Sequence, residues 1–363
     1  MNNFSELYNK CLNLKDLTLE EAIFLYENAP ISDLIFIANE IRKLKHNKNK
    51  VSWIIDRNVN ITNVCVSGCK FCNFFCSKNS SKAYITSIDE YKTKIEETLK
   101  LGGNQLLLQG GMNPDLGLDY YKNLFKTLKS LYPNIKLHAL GPPEIAFIAK
   151  LENCKNEVII DELINSGLDS IPGAGAEILC DRVRSIVSPK KCSSEEWLNI
   201  MEIAHKKNIL TTATMVYGHI ETVTERINHL IKIRDTQAKK PKNSIGFISF
   251  IPWPIQAKNT VLEKDYNIKT NNSIDDYIRI IAISRIVLNN ISNIQASWLT
   301  VGVETAQLCL HAGANDLGSI MIEENVVSSA GANYKLSKYD IQKAITDAGF
   351  TPFLRNQKFE EIC

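Results

Sequence analysis

From Ile54 onward, short apolar runs of strand length alternate with longer stretches whose apolar residues recur every third or fourth position. The short runs read as buried strands of a parallel sheet, and the longer ones as helices with one face turned inward. The spacing predicts helices over 88–101, 120–131, 159–166, 194–207, 221–236 and 274–290. It predicts strands over 54–64, 105–109, 135–139, 168–171, 210–215 and 246–251, with weaker signals at 293–296 and 314–317. Such βα alternation builds an α/β fold, here a (β/α) TIM-type barrel. Ahead of it, Thr18-Leu-Glu-Glu21 has the capping-box pattern and Ile31-Ser-Asp33 opens a second helical repeat. These predict two short helices within 19–43, packed across one end of the barrel. The expected organisation is an N-terminal helical segment (1–50), a barrel core (51–290) and a C-terminal barrel-closing region (291–363).

Composition refines this picture only slightly. A hydrophobic fraction of 44% is ample for a large core. The formal net charge is +2, from 42 basic and 40 acidic residues in an interspersed pattern. That balance gives no electrostatic reason to expect nucleic acid or an anionic membrane surface as partner. No N-terminal stretch has the succession of a signal peptide, and the apolar runs are short or broken, as by Arg285. A cytoplasmic protein with no membrane partner is the expectation. Ten cysteines without the spacing of a disulfide framework suit a reducing compartment.

Three of those cysteines carry the strongest chemical signal. Cys65-Val-Ser-Gly-Cys69-Lys-Phe-Cys72 is a CxxxCxxC loop following the first predicted strand. Three thiolates on one tight loop can hold three irons of a cubane cluster and leave the fourth iron open. Gly68 tolerates the backbone angles such a turn requires. Zinc is the rival occupant, because Cys76 extends the run to CxxxCxxCxxxC.

In barrels of this kind functional groups gather at the C-terminal ends of the strands. Gln109-Gly110-Gly111, His138 with Glu144, Ser170 with Glu177, His219 with Glu221, and Pro252-Trp253-Pro254 all fall there. His138 or Glu144 could serve as a base, or be a core imidazole and a helix-start acid respectively. Arg182 and Arg184 could hold a ligand carboxylate or form ion pairs on a helix. Trp253 and Trp298 could stack on an aromatic ring or fill the core. Asp316, Glu323, Glu324 and Asn325 form an acid-rich segment suited to sugar hydroxyls or to surface capping.

Phe71 immediately before the third cysteine makes CxxxCxFC, which resembles the signature of the radical S-adenosylmethionine (SAM) enzymes. The similarity extends through the run Asp56 to Val64, His138-Ala-Leu-Gly-Pro-Pro-Glu144, Pro172-Gly-Ala-Gly-Ala-Glu177 and the segment Gly313 to Asn325. Together these resemble the cyclic dehypoxanthine futalosine synthases of the futalosine route to menaquinone, from about Leu17 to Phe353. The resemblance implies a 4Fe-4S cluster on Cys65, Cys69 and Cys72, with SAM bound by Phe71, Gly110, Gly111, Glu177 and Arg184. It further implies that a 5′-deoxyadenosyl radical takes hydrogen from dehypoxanthine futalosine. Restoring the aromatic ring then needs a base, which His138 or Glu144 could be; Arg57 is the expected partner of the substrate carboxylate, and Asp316 and Glu323 are expected to bind its sugar. An electron donor such as flavodoxin or ferredoxin is the implied partner. Sister enzymes, aminofutalosine synthase and the deazaflavin-forming synthases, share much of the pattern. The chain departs from it at Cys76, where relatives are usually basic, and at Ile61, where tyrosine is common.

Overall fold

The computed structural model describes residues 3–46, 49–270, 273–323, 325, 329 and 336–362; Glu324 lies outside them. Ten strands are described among these residues: β1 (Lys50–Ile54), β2 (Asp56–Asn60), β3 (Gln105–Gln109), β4 (Lys136–Ala139), β5 (Ser170–Ile171), β6 (Leu210–Tyr217), β7 (Phe247–Pro254), β8 (Asn293–Ile294), β9 (Asp316–Ser319) and β10 (Thr351–Leu354). β2 to β8 form one parallel sheet in sequence order, curled as a half-barrel, and β10-β1-β9 form a second. The two are continuous, because Gln295 just past β8 bridges to Asp316 and β9 pairs with β1, which runs through Ile55 into β2. Seven strands of a TIM-type barrel and the segment that completes the ring are therefore in place.

The helices follow the apolar spacing closely: Ile88–Lys100, Leu118–Leu131, Asn156–Asn165, Ser194–Lys206, Val223–Ala238 and Ile274–Val287 form most of the outer layer. Serine or threonine side chains cap several of them, Ser87 and Thr222 in full capping boxes. Leucine, isoleucine and valine from strands and helices make one continuous core. The strand predicted over 54–64 is corrected to a pair, β1 and β2. The chain shifts from pairing with β9 and β10 to pairing with β3 at Ile55, and loses strand geometry after Asn60. Helices Leu19–Asn28 and Ile31–Lys45 form as expected and sit against Val223–Ala238 and Ile274–Val287. Arg279 donates to the carbonyls of Tyr26 and Ala29, fixing that contact.

Candidate active site

The loop after β2 is bound at several points along its backbone. Cys65 N–H donates to the Cys76 carbonyl, Cys76 N–H to that of Asn63, Val66 N–H to that of Met112 and Lys70 N–H to that of Val187. Gly68 turns the loop in the left-handed region, φ +63°. Ser67 Oγ lies 2.9 Å from the Cys65 sulfur and 3.3 Å from that of Cys69, and Met112 N–H donates to the Cys65 sulfur at 3.3 Å. Burial pushes the Cys69 and Cys72 thiols up, so metal binding there must release protons. Among the described residues no three Cys, His, Asp or Glu side chains close on one single-ion position. A cubane takes each thiolate on a different iron and leaves the fourth iron open.

Behind the loop lies a cavity of about 440 Å³. Cys65, Cys69, Cys72, Phe71, Gly110, Gly111, His138, Glu144 and Glu177 all line it, as do Trp253 and Trp298. At Gly111 an added Cβ would stand 2.0 Å from the Val64 carbonyl oxygen, so the two loops touch as only glycine permits. Glu144 accepts from Gly110 N–H at 3.0 Å and Gly141 N–H at 2.8 Å, tying the Gly-Gly turn to the start of the helix Pro142–Leu151. Burial pushes the Glu144 carboxyl up to about 7, against the pull of those two N–H groups. His138 Nδ1 lies 2.6 Å from Ser170 Oγ, and burial, with Arg355 nearby, pushes its imidazole down to about 3.

Glu177 is 3% exposed and sits at φ +40°, a strained backbone for a non-glycine residue. Its Oε1 receives Lys191 Nζ at 2.7 Å, while Oε2 faces burial with no hydrogen-bond partner. Lys191 also lies 5.5 Å above the Phe71 ring. A buried carboxylate oxygen without a donor, beside a glycine cradle and three thiols, fits a ligand that brings hydroxyl donors, such as the ribose of SAM.

Six sequence-derived assignments are not brought to this cavity. Arg57 alternates outward from Asp56 and Asn58, and its guanidinium reaches Glu97 of helix Ile88–Lys100 and Glu323 at 2.9 Å. Glu323 is thereby an ion-pair partner of Arg57 and Lys94, away from the cavity wall. Arg184 donates to the carbonyls of Gly175, Ala176 and Cys192, so it braces the turn that carries Glu177 and Lys191. Asp316 is fully buried and takes Arg355 through both oxygens, at 2.6 and 3.1 Å. His219 and Glu221 pair with each other and with Arg226 outside the cavity lining.

Conversely, Asn58, Gln105, Lys191, Ser249, Arg355 and Gln357 line the cavity and were missed. The polar alternation Asp56, Asn58, Asn60 in a barrel strand was a usable signal for the first. Lys191, in a basic Lys190-Lys191 pair between helices, has the sequence look of a solvated loop.

Residues 59–233 match the Radical SAM superfamily, and residues 244–362 match the CofH/MqnC C-terminal region. The cyclic dehypoxanthine futalosine synthase of Streptomyces coelicolor is 42% identical over 95% of this chain and 86% of its own length. That of Halalkalibacterium halodurans is 39% identical over 98% and 94%. A 5-amino-6-(D-ribitylamino)uracil–L-tyrosine 4-hydroxyphenyl transferase of Archaeoglobus fulgidus is 38% identical over 88% and 91%. In fold, the chain is similar to the crystal structure of methylornithine synthase, with a TM-score of 0.71, 16% identity, and 95% and 97% of the two chains covered.

Proposed function

The chain belongs to the cyclic dehypoxanthine futalosine synthase family of radical SAM enzymes, and from that membership we propose how its own side chains divide the work. The reaction is cyclisation of dehypoxanthine futalosine to its spiro-cyclic product, a step of the futalosine route to menaquinone, with a 4Fe-4S cluster and SAM as cofactors. When bound, those cofactors supply a primary carbon radical that removes hydrogen from the substrate's sugar.

Cys65, Cys69 and Cys72 hold the cluster, and Phe71 with Gly110 and Gly111 forms the cradle beside it. The single observation that carries the reading is the buried Glu177 carboxylate, whose Oε2 has no hydrogen-bond donor, in the same cavity as this cradle, where it accepts the ribose hydroxyls of SAM. Glu144 is the proton acceptor when the aromatic ring is restored, because its carboxyl titrates near neutrality while the imidazole of His138 resists protonation. His138 stays neutral and hydrogen-bonds substrate from the wall. The apolar walls, Trp253 and Trp298 among them, exclude water from a radical that any stray hydrogen donor would quench. A flavodoxin or ferredoxin supplies the electron, and the protein works in the cytoplasm.

The test is anaerobic turnover with SAM, a reductant and dehypoxanthine futalosine, following 5′-deoxyadenosine and substrate mass by chromatography. The expected product is lighter by two hydrogens, one taken as an atom by the radical and the other lost as a proton to Glu144, with its electron passing to the oxidised flavodoxin or ferredoxin. Glu144→Gln should still release 5′-deoxyadenosine while product falls by about 10²-fold. Absence of substrate-dependent 5′-deoxyadenosine from the native protein would refute the assignment.

A further inference from the structure

The cysteine loop holds one polar side chain that the division of labour above leaves without a task. Ser67 lies between Cys65 and Cys69 in sequence and is 3% exposed, whereas its neighbour Val66 is 37% exposed. The left-handed turn at Gly68 follows it immediately. Ser67 Oγ stands 2.9 Å from the Cys65 sulfur and 3.3 Å from the Cys69 sulfur, and among the described residues these are the partners of the hydroxyl. A buried hydroxyl keeps a hydrogen bond for its proton. Thiolates that ligate iron have no proton to give, so with Cys65 and Cys69 as ligands the serine is the donor in both contacts.

The three sulfurs are unequally supplied with donors. Cys65 accepts from the backbone N–H of Ser67 at 3.4 Å and of Met112 at 3.3 Å. Cys72 is met by the backbone N–H groups of Phe74 and Phe75. Cys69 has no backbone donor among the described residues, and its hydrogen bond is the one from Ser67 Oγ. Replacing the serine side chain therefore leaves the backbone donors in place and deprives Cys69 of its donor. A hydrogen bond to a ligating sulfur draws off negative charge and favours the form that carries the additional electron, which raises the reduction potential. Burial strengthens the effect, because little water is present to screen it. Resting on the cluster assignment above, we propose that Ser67 sets the reduction potential of the cluster, its hydroxyl donating to the Cys69 and Cys65 sulfurs and easing entry of the single electron that precedes SAM cleavage. In that step the flavodoxin or ferredoxin is oxidised by one electron, the cluster is reduced by one, and Ser67 keeps its proton throughout.

The experiment is a redox titration of the reconstituted protein without SAM, with iron and sulfide counted first and the reduced cluster followed by electron paramagnetic resonance against mediator dyes. Ser67→Ala removes the hydroxyl. Ser67→Thr and Ser67→Val form a second comparison, nearly equal in shape and differing in the hydroxyl. At a fixed poise the ratio of reduced to oxidised cluster should fall about ten-fold in Ser67→Ala, equivalent to about 59 mV for one electron. Ser67→Val should stand below Ser67→Thr by a similar factor. A Ser67→Ala protein with full iron and an unshifted ratio would overturn the proposal. Ser67→Thr and Ser67→Val shifted equally would overturn it too, making the serine a packing residue. Should Ser67→Ala assemble no cluster, the threonine and valine pair decides, and loss of iron from all three variants alike would overturn the proposal by assigning Ser67 to the shape of the loop. A native protein that assembles no cluster would instead overturn the functional reading itself.

Discussion

Replacing Lys191 by methionine keeps the length of the side chain and removes its charge, which isolates what the ammonium contributes to the cofactor end of the cavity. Its Nζ lies 2.7 Å from Glu177 Oε1, and the two side chains are 17% and 3% exposed. Burial alone would push Lys191 down, yet the adjacent Cys69 thiol and the Glu177 carboxylate hold it above its ordinary value. Arg184 stands 3.9 Å from Glu177 Oε2, but its guanidinium is already turned onto backbone carbonyls and cannot substitute. Lys191→Met therefore leaves the Glu177 carboxylate without a hydrogen-bonded cation, with the Arg184 charge 3.9 Å away offsetting part of the loss, at a cost of about 3 kcal/mol. Adding Glu177→Gln removes the stranded charge, so the double variant should regain about 2 kcal/mol or more relative to Lys191→Met alone. Urea denaturation of the reduced, cluster-free protein, followed by circular dichroism, measures both. A double variant no more stable than Lys191→Met would refute the pairing argument. Loss of SAM affinity in Lys191→Met, measured by calorimetry on the loaded protein, is the functional counterpart.

Gly111→Ala drives a Cβ into the Val64 backbone, 2.0 Å from its carbonyl oxygen and 2.8 Å from the Cys65 Cβ. We expect a loss of about 3 kcal/mol or more and a fall in iron bound per chain after reconstitution; full iron content would contradict the contact. Product formed per 5′-deoxyadenosine should rise as pH climbs through about 7, because Glu144 accepts a proton only when ionised. Glu144→Gln should flatten that dependence. Arg57→Gln breaks ion pairs outside the cavity and should leave KM for dehypoxanthine futalosine within about two-fold; a large rise would return Arg57 to the substrate.

The barrel was legible because its helices and central strands obey simple periods, and β3 begins and ends where the apolar run does. The cysteine loop was legible because its three cysteines lie close together in sequence. Arg57 shows where such reading stops. Its place before the cluster strand suggested substrate, but a one-residue phase in strand alternation turns it outward. Arg184 and Asp316 share a second reason: each is a charge whose partner lies on another segment, the carbonyls near Cys192 in one case and Arg355 in the other. Lys191 was missed for the same cause in reverse, since its carboxylate partner is Glu177, across the helix Asp181–Val187.

The pairing of β1 with β10 sets an order of events during biosynthesis. The cysteine motif is translated directly after β1 and β2, whereas the strand that flanks β1 and the Arg355–Phe359 floor come from residues 351–359, far later in the sequence. At about 5–20 residues per second, the interval between them is on the order of tens of seconds. Throughout it, β1 presents an unpaired edge and the cavity is open from below. A nascent chain thus carries the cysteine motif on an unsealed vessel, and a product truncated before Thr351 would keep the whole motif yet leave the cavity open from beneath.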